Sequence, residues 1–182
     1  MSRAIFAVAV AVAFSFAQTV GAADQSFALS GDNTKLTFVG SKANGKHEGG
    51  FAKLVGTATV SDGNPATLKL EATIETDSLF SDDAKLTAHL KSPDFFSVKD
   101  NPKATFKSTK VEKTEKGYTI TGDLTLLGKT KPVTMPATVA VTGDALTFSS
   151  DFQIDQTDWG MVYGKGKIDD VVKLKLVITA KK

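Results

Sequence analysis

The sequence predicts an all-β protein: an eight-stranded antiparallel up-and-down barrel with a short helical lid between strands. Three observations lead there. Apolar and polar residues alternate along most of the chain, as in Leu68, Leu70, Ala72 and Ile74 against Lys69, Glu71, Thr73 and Glu75. A period of two gives a strand one apolar and one wet face. Short turns with Gly, Asn or Asp separate the runs, which suits antiparallel neighbours. One stretch alone has helical spacing, between about Asp82 and Pro93.

Residues 1–23 read as a signal peptide, leaving one domain over residues 24–182. Arg3 supplies a positive start, Ala4 to Ala17 is apolar and uncharged, and Val20-Gly21-Ala22-Ala23 offers small residues for cleavage. The apolar run is short of the ~20 residues a bilayer span needs. The chain is expected to be exported, with no stable membrane insertion. Arg3 is the only arginine, so the remaining chain carries 21 lysines against 20 acids, a net charge of +1. A balance this even, with lysines spread among acids, is no nucleic-acid footprint. There is no cysteine, so the core alone must hold the exported domain, which its length permits.

The alternating rows follow in order. Leu36 and Phe38 open them, then Leu68 to Ile74. Tyr118, Ile120, Gly122, Leu124 and Leu126 make the next, and Val133 to Val141 another. Leu146, Phe148, Ser150, Phe152 and Ile154 precede the last, Val172 to Ile178. A two-sheet sandwich would bury the same faces. Sequential hairpins and strands of about ten residues favour the barrel, whose tilted strands climb a full wall.

The helical stretch carries Leu86, His89 and Leu90 at i, i+3 and i+4, on one face. Asp82 and Asp83 suit a helix start, and Pro93 stops it. Phe95 and Phe96 follow. Set between strands, this reads as a lid, with His89 either a core histidine or a polar group at a cavity mouth.

Catalytic sets are missing from the pattern. There is no Gly-x-Ser-x-Gly elbow, phosphate loop, His-Glu-x-x-His or cysteine nucleophile. Two histidines, His47 and His89, and no cysteine make a poor metal set, and His47 and Glu48 point to opposite faces of a strand. No cofactor is expected. Gly49-Gly50 suggests a bulge or a close approach of chains. Trp159 suits a barrel corner.

At this point His89-Leu90-Lys91-Ser92-Pro93-Asp94-Phe95-Phe96, with Asn101-Pro102, Thr105-Phe106 and Ser108-Thr109, resembles the most recognisable block of the YceI-like family. Gly122-Asp123-Leu124-Thr125-Leu126-Leu127-Gly128 with Lys131-Pro132-Val133 resembles its second block, and Ile154-Asp155-Gln156-Thr157-Asp158-Trp159-Gly160 its third. Gly49-Gly50-Phe51 and Gly56 fit its N-terminal pattern. The resemblance implies a lipocalin-like barrel whose apolar interior holds a polyisoprenoid or other long-chain amphipathic lipid. Gln156 stands where the family commonly has arginine.

The expected ligand contacts are His89, Leu86, Leu90, Phe38, Phe51, Phe95, Phe106, Leu124, Phe148, Phe152 and Trp159. Their rows fit either a packed core or a greasy tunnel. The small inward residues Ala72, Gly122, Ala137 and Ser150 tilt the reading toward a tunnel. Three functions follow in order of preference: a periplasmic carrier of an apolar chain, a ligand-free stress or interaction scaffold on the same barrel, and a lipid-modifying hydrolase. A homodimer stays open.

Overall fold

The computed structural model describes residues 23–182. The expected leader therefore lies, but for Ala23, outside the described residues. The rest is one curled antiparallel sheet of eleven strands with one short helix. In chain order the strands are β1 (Asp24–Ser30), β2 (Thr34–Lys42), β3 (Gly45–Phe51), β4 (Leu54–Ser61), β5 (Lys69–Glu75) and β6 (Leu79–Ser81). Helix α1 (Ala84–Leu90) follows, then β7 (Lys103–Thr114), β8 (Gly117–Leu126), β9 (Lys129–Thr142), β10 (Ala145–Asp155) and β11 (Val171–Lys181). Across the sheet the order is β1-β4-β5-β7-β8-β9-β10-β11-β2-β3-β6.

Eleven strands replace the expected eight for a physical reason. Two runs are each broken in two. β3 and β4 are parted by Ala52 and Lys53, and β5 and β6 by a 3-10 turn at Thr76–Ser78. The breaks face each other: the Ala52 N–H donates to the Ser78 carbonyl at 3.1 Å, and the Glu75 N–H to the Lys53 carbonyl at 3.1 Å. The β4–β5 ladder thus runs on into the β3–β6 ladder, and the sheet curls back on itself. β1 is the remaining extra strand, paired to β4 from Asp24↔Ser61 to Ser30↔Val55.

Turn chemistry sets the hairpins. Asp62 and Gly63 both have positive φ, 53° and 64°. That twist matches the flanking strands and favours Asp-Gly. Asn64 N–H closes the turn on the Ser61 carbonyl at 2.9 Å. Gly49 and Gly50 lie where strands approach closely. A Cβ on Gly49 would strike the Phe80 carbonyl and the Phe38 ring, and one on Gly50 would come within 2.6 Å of the Leu36 carbonyl.

Inward rows fill the far end of the curl, away from α1. Leu70, Ile120, Leu146, Phe148 and Ile178 are buried there. The small inward residues do not open a void. Phe106 lies across Gly122, Ser150 Oγ donates to the Pro136 carbonyl at 2.6 Å, and Ala137 is buried in the core. These three are packed against neighbours, and none of them lines a cavity.

Helix α1 caps the other end. Asp83 Oδ1 accepts the Leu86 N–H at 2.8 Å, satisfying one open donor of the first turn. Thr87 Oγ1 accepts the Ser81 N–H at 2.9 Å and ties the helix to β6. The helix ends at Leu90, three residues before Pro93. Leu86 and Leu90 are half-buried, because the helix sits on a rim and not in a core.

Candidate functional site

Beneath α1 the curled sheet is hollow. A cavity of about 210 Å³ opens there. β2 gives it Leu36 and Phe38, β3 Phe51, β5 Ile74, β8 Leu124 and Leu126, and β11 Val172 and Leu174. These are the inward positions of strands where they leave the packed end. Leu86 and Leu90 roof it from α1, with Phe95 and Phe96 from the turn that follows. The aromatic wall braces itself. Phe51 meets Phe38 with ring centres 6.1 Å apart, and Phe96 edge-on at 5.5 Å. Edge and tilted contacts of this kind are favourable beyond the area they bury.

The rim is where polar groups collect. Ser41, Lys42, His47 and Gln156 border the cavity with Met161 and Ile168. Asp82 pins this rim: its carboxylate meets His47 Nδ1 at 3.0 Å and accepts the Glu48 N–H at 3.2 Å. Those two bonds hold the Asp82 carboxyl below the usual carboxylate range. Gln156 is buried, and its Nε2 donates to the Asp169 carbonyl at 3.0 Å. That neutral bond folds the loop between β10 and β11 onto the rim, where Asp169 N–H reaches the Ser41 carbonyl at 3.0 Å. Asp155 begins the same loop. Its carboxyl is lowered by the Thr157 hydroxyl at 2.6 Å and the Thr157 N–H at 2.9 Å.

Of the residues expected at a ligand, the structure gathers Phe38, Phe51, Leu86, Leu90, Phe95 and Leu124 around the cavity. The other five lie elsewhere. Phe106 is tucked over Gly122, and Phe148 is packed at the far end. Phe152 packs against the core from a half-buried position. Trp159 is buried, and its Nε1 donates to the Leu124 carbonyl at 3.2 Å, bracing the wall from behind. His89 turns away from the cavity. Its Nε2 meets Asp94 Oδ2 at 2.9 Å, and its ring stands edge-on to Tyr163 at 4.6 Å.

Sequence reasoning left Leu36, Ile74, Phe96, Leu126 and Leu174, among others that its own rows and lid carried, out of the contact set, and it gave no role to Lys42, Met161 or Ile168. Met161 and Ile168 sit in a glycine-rich loop without periodicity, so no pattern marked them. Among the described residues, no three His, Cys, Asp or Glu side chains lie together as a metal site would need. Among them too, no helix is long and apolar enough to cross a membrane.

Comparison with known proteins agrees with the fold. The family model of the YceI-like domain matches residues 27–180. Protein YceI of Escherichia coli is 45% identical over 96 residues, 53% of this chain and 50% of that protein. The match thus spans about half the length of that relative. A UPF0312 protein of Pseudomonas aeruginosa is 35% identical over 136 residues, 71% of each chain. Among solved structures, Burkholderia cenocepacia BcnA is similar at a TM-score of 0.74 and 27% identity, covering 81% of this chain and 96% of its own. A polyisoprenoid binding domain from Saccharophagus degradans shares the fold at a TM-score of 0.64 and 14% identity, covering 86% of this chain and 98% of its own.

Proposed function

The chain belongs to the YceI-like family, and from that premise we propose that it is an exported, periplasmic carrier that holds the apolar chain of a polyisoprenoid or similar amphipathic lipid. The observation that carries this reading is the cavity under α1: apolar on wall and roof, polar only at the rim. Apolar walls with a few placed polar groups are what a lipid site needs. The tail would lie against Phe38, Phe51 and Leu124. The head would lie at Lys42, His47 and Gln156. The polyisoprenoid binding domain with the same fold supports that choice of ligand class.

The role is one of binding. Gln156 and Asp82 are engaged in structural hydrogen bonds, and neither is set against a nucleophile. The rim holds its ligand by shape and burial.

Native mass spectrometry of protein taken from the periplasm tests export and binding together. The expected mass starts at Ala23 or Asp24, with a lipid retained and released by solvent extraction. Leu124→Glu, checked for folding by circular dichroism, should lose the lipid. An intact Met1 on membranes overturns export. An empty protein that takes up no offered lipid overturns binding and favours the scaffold reading.

A further inference from the structure

We propose that an apolar chain enters and leaves the cavity through the seam between the lid and the loop that joins β10 to β11, and that the ring of Tyr163 is the gate closing this seam. The inference rests on the binding reading above and adds a route and the residue that controls it.

The cavity itself calls for a gate. On a scale where a dry cavity of about 150 Å³ holds a benzene, 210 Å³ is too little for a long apolar chain. The interior must widen to take one, and it widens where two elements part easily. The walls are not that place. β10 with β11, β11 with β2 and β2 with β3 are joined by continuous backbone ladders, and leaving such groups unpaired is costly. Nor is it the other side of the lid. There the Asp82 N–H donates to the Glu48 carbonyl at 2.9 Å, Thr87 Oγ1 accepts the Ser81 N–H at 2.9 Å, and Lys91 pairs with Asp77 at 3.3 Å.

The seam is held differently. Met161 and Ile168 line the cavity from the loop, and Leu86, Leu90 and Phe95 line it from the lid. Among the described residues, no hydrogen bond or ion pair crosses between these two sides. The aromatic contacts across it belong to one ring. Tyr163 meets His89 edge-on with ring centres 4.6 Å apart, and Phe95 at 5.4 Å. On the lid, His89 and Phe95 stand edge-on at 5.1 Å, and Asp94 holds the imidazole at 2.9 Å. Tyr163 is 47% exposed, so its open position is already half reached.

The loop has a fixed base and a free tip. At the base the Gln156 N–H donates to the Asp170 carbonyl at 2.9 Å, and the Asp169 N–H to the Ser41 carbonyl at 3.0 Å. At the tip the backbone bonds from Lys165 to Val162 and from Lys167 to Gly164 stay within the loop. Gly160 and Gly164, with φ of 95° and 67°, flank Tyr163. Glycines at such positions absorb backbone rotations that other residues resist.

A gate that does not touch the ligand changes both rates and leaves affinity alone, and Tyr163 does not line the cavity. Tyr163→Ala should therefore speed uptake and release of a dansylated farnesyl chain by the same factor, with an unchanged Kd. The factor should be about tenfold, the scale of two lost aromatic contacts. Tyr163→Phe keeps the ring and should restore both rates. Stopped-flow fluorescence measures them. The protein has no cysteine, which permits a lock. His89→Cys with Tyr163→Cys, bridged by a short bis-methanethiosulfonate reagent, should stop uptake by the empty protein and release from the loaded one. Dithiothreitol should restore both. Circular dichroism checks folding, and Tyr163→Ala, at an exposed loop position, decides the matter if the double variant fails to fold.

Equal rates in the bridged and reduced protein overturn the gate and leave the carrier standing. So do unchanged rates in Tyr163→Ala. A Kd that rises with release while uptake stays the same places Tyr163 in the ligand site and also overturns the gate. If no form takes up the dansylated farnesyl chain or dansylated undecanoic acid, the gate and the binding reading fall together.

Discussion

The two ends of the curled sheet are built from the same alternating strands and differ in what faces what. At the far end, large side chains meet small ones: Phe106 covers Gly122, and Ala137 and Ala180 are buried in one cluster with Phe148 and Ile178. Ordinary interiors are close-packed in this way. At the lid end, large meets large. Phe38, Phe51 and Phe96 prop one another apart at centre distances of 6.1 and 5.5 Å. Beneath the arch they make, 210 Å³ stays open. Apolar alternation decides which face is buried. The pairing of sizes across the interior decides whether burial leaves a space.

Truncating one phenylalanine at each end gives the largest test of that contrast. Phe148→Ala removes a ring that is 2% exposed and should cost ~3–5 kcal/mol, the range for a filled core. Phe38→Ala removes a half-buried ring that already borders free space. With contacts missing on one side there is less dispersion to lose, and the cost should be about 1–2 kcal/mol. Urea unfolding of the two variants measures both. Equal losses would erase the distinction between the ends.

The lid sharpens the comparison at a smaller scale. Leu86 is half-buried and roofs the cavity. Leu86→Ala should therefore cost about 1 kcal/mol, below the ~2–5 kcal/mol of a fully buried leucine. Its main effect should be on how fast a bound lipid escapes. A stopped-flow exchange measurement should show faster release with a melting temperature only slightly lowered. A large fall in melting temperature with unchanged release would mean that α1 belongs to the core.

These differences explain what could be read from the residues. The alternating rows, the lid and the acids at its helix start were legible, because periodicity and helix-end preferences act within a few residues. Six of the expected contact residues border the cavity for the same reason: the row that carries Leu124 faces inward wherever it sits. Which inward residues line a space was not legible. It depends on partners far apart in sequence, as Phe106 and Gly122 are, or Phe51 and Phe96. Small residues misled for that reason, since Gly122 is small to admit a ring from the next strand. His89 misled because one helix face served two neighbours. Leu86 and Leu90 took the cavity, while His89 turned to Asp94 and Tyr163. The strand breaks at Ala52–Lys53 and Thr76–Ser78 leave no local mark, because each is made good by hydrogen bonds to the other.

The smallest effect expected is in acid, and it belongs to the lid end alone. Asp82 ties β3 to the start of α1 through His47 and the Glu48 N–H, and those bonds depress its carboxyl. In the unfolded chain the same group would titrate near ~3.9. As the pH falls, the unfolded state therefore takes up the proton first. The stabilisation that Asp82 gives is complete above pH ~4 and is lost as the pH drops through its lowered folded value. The group is exposed, beside Asp83 and the Lys46–Glu48 ion pair, so solvent screens it and the loss is small. The Glu48 amide reports it directly. In an NMR pH titration that resonance should show a step with a midpoint below ~3.9, and Asp82→Asn should remove that step. The amides of Ile120 and Phe148 should stay still through the same range, since the side chains packed at that end carry no charge. A Glu48 titration with no step that Asp82→Asn removes, or equal movement at both ends, would show that the Asp82 contact does not hold the rim in solution.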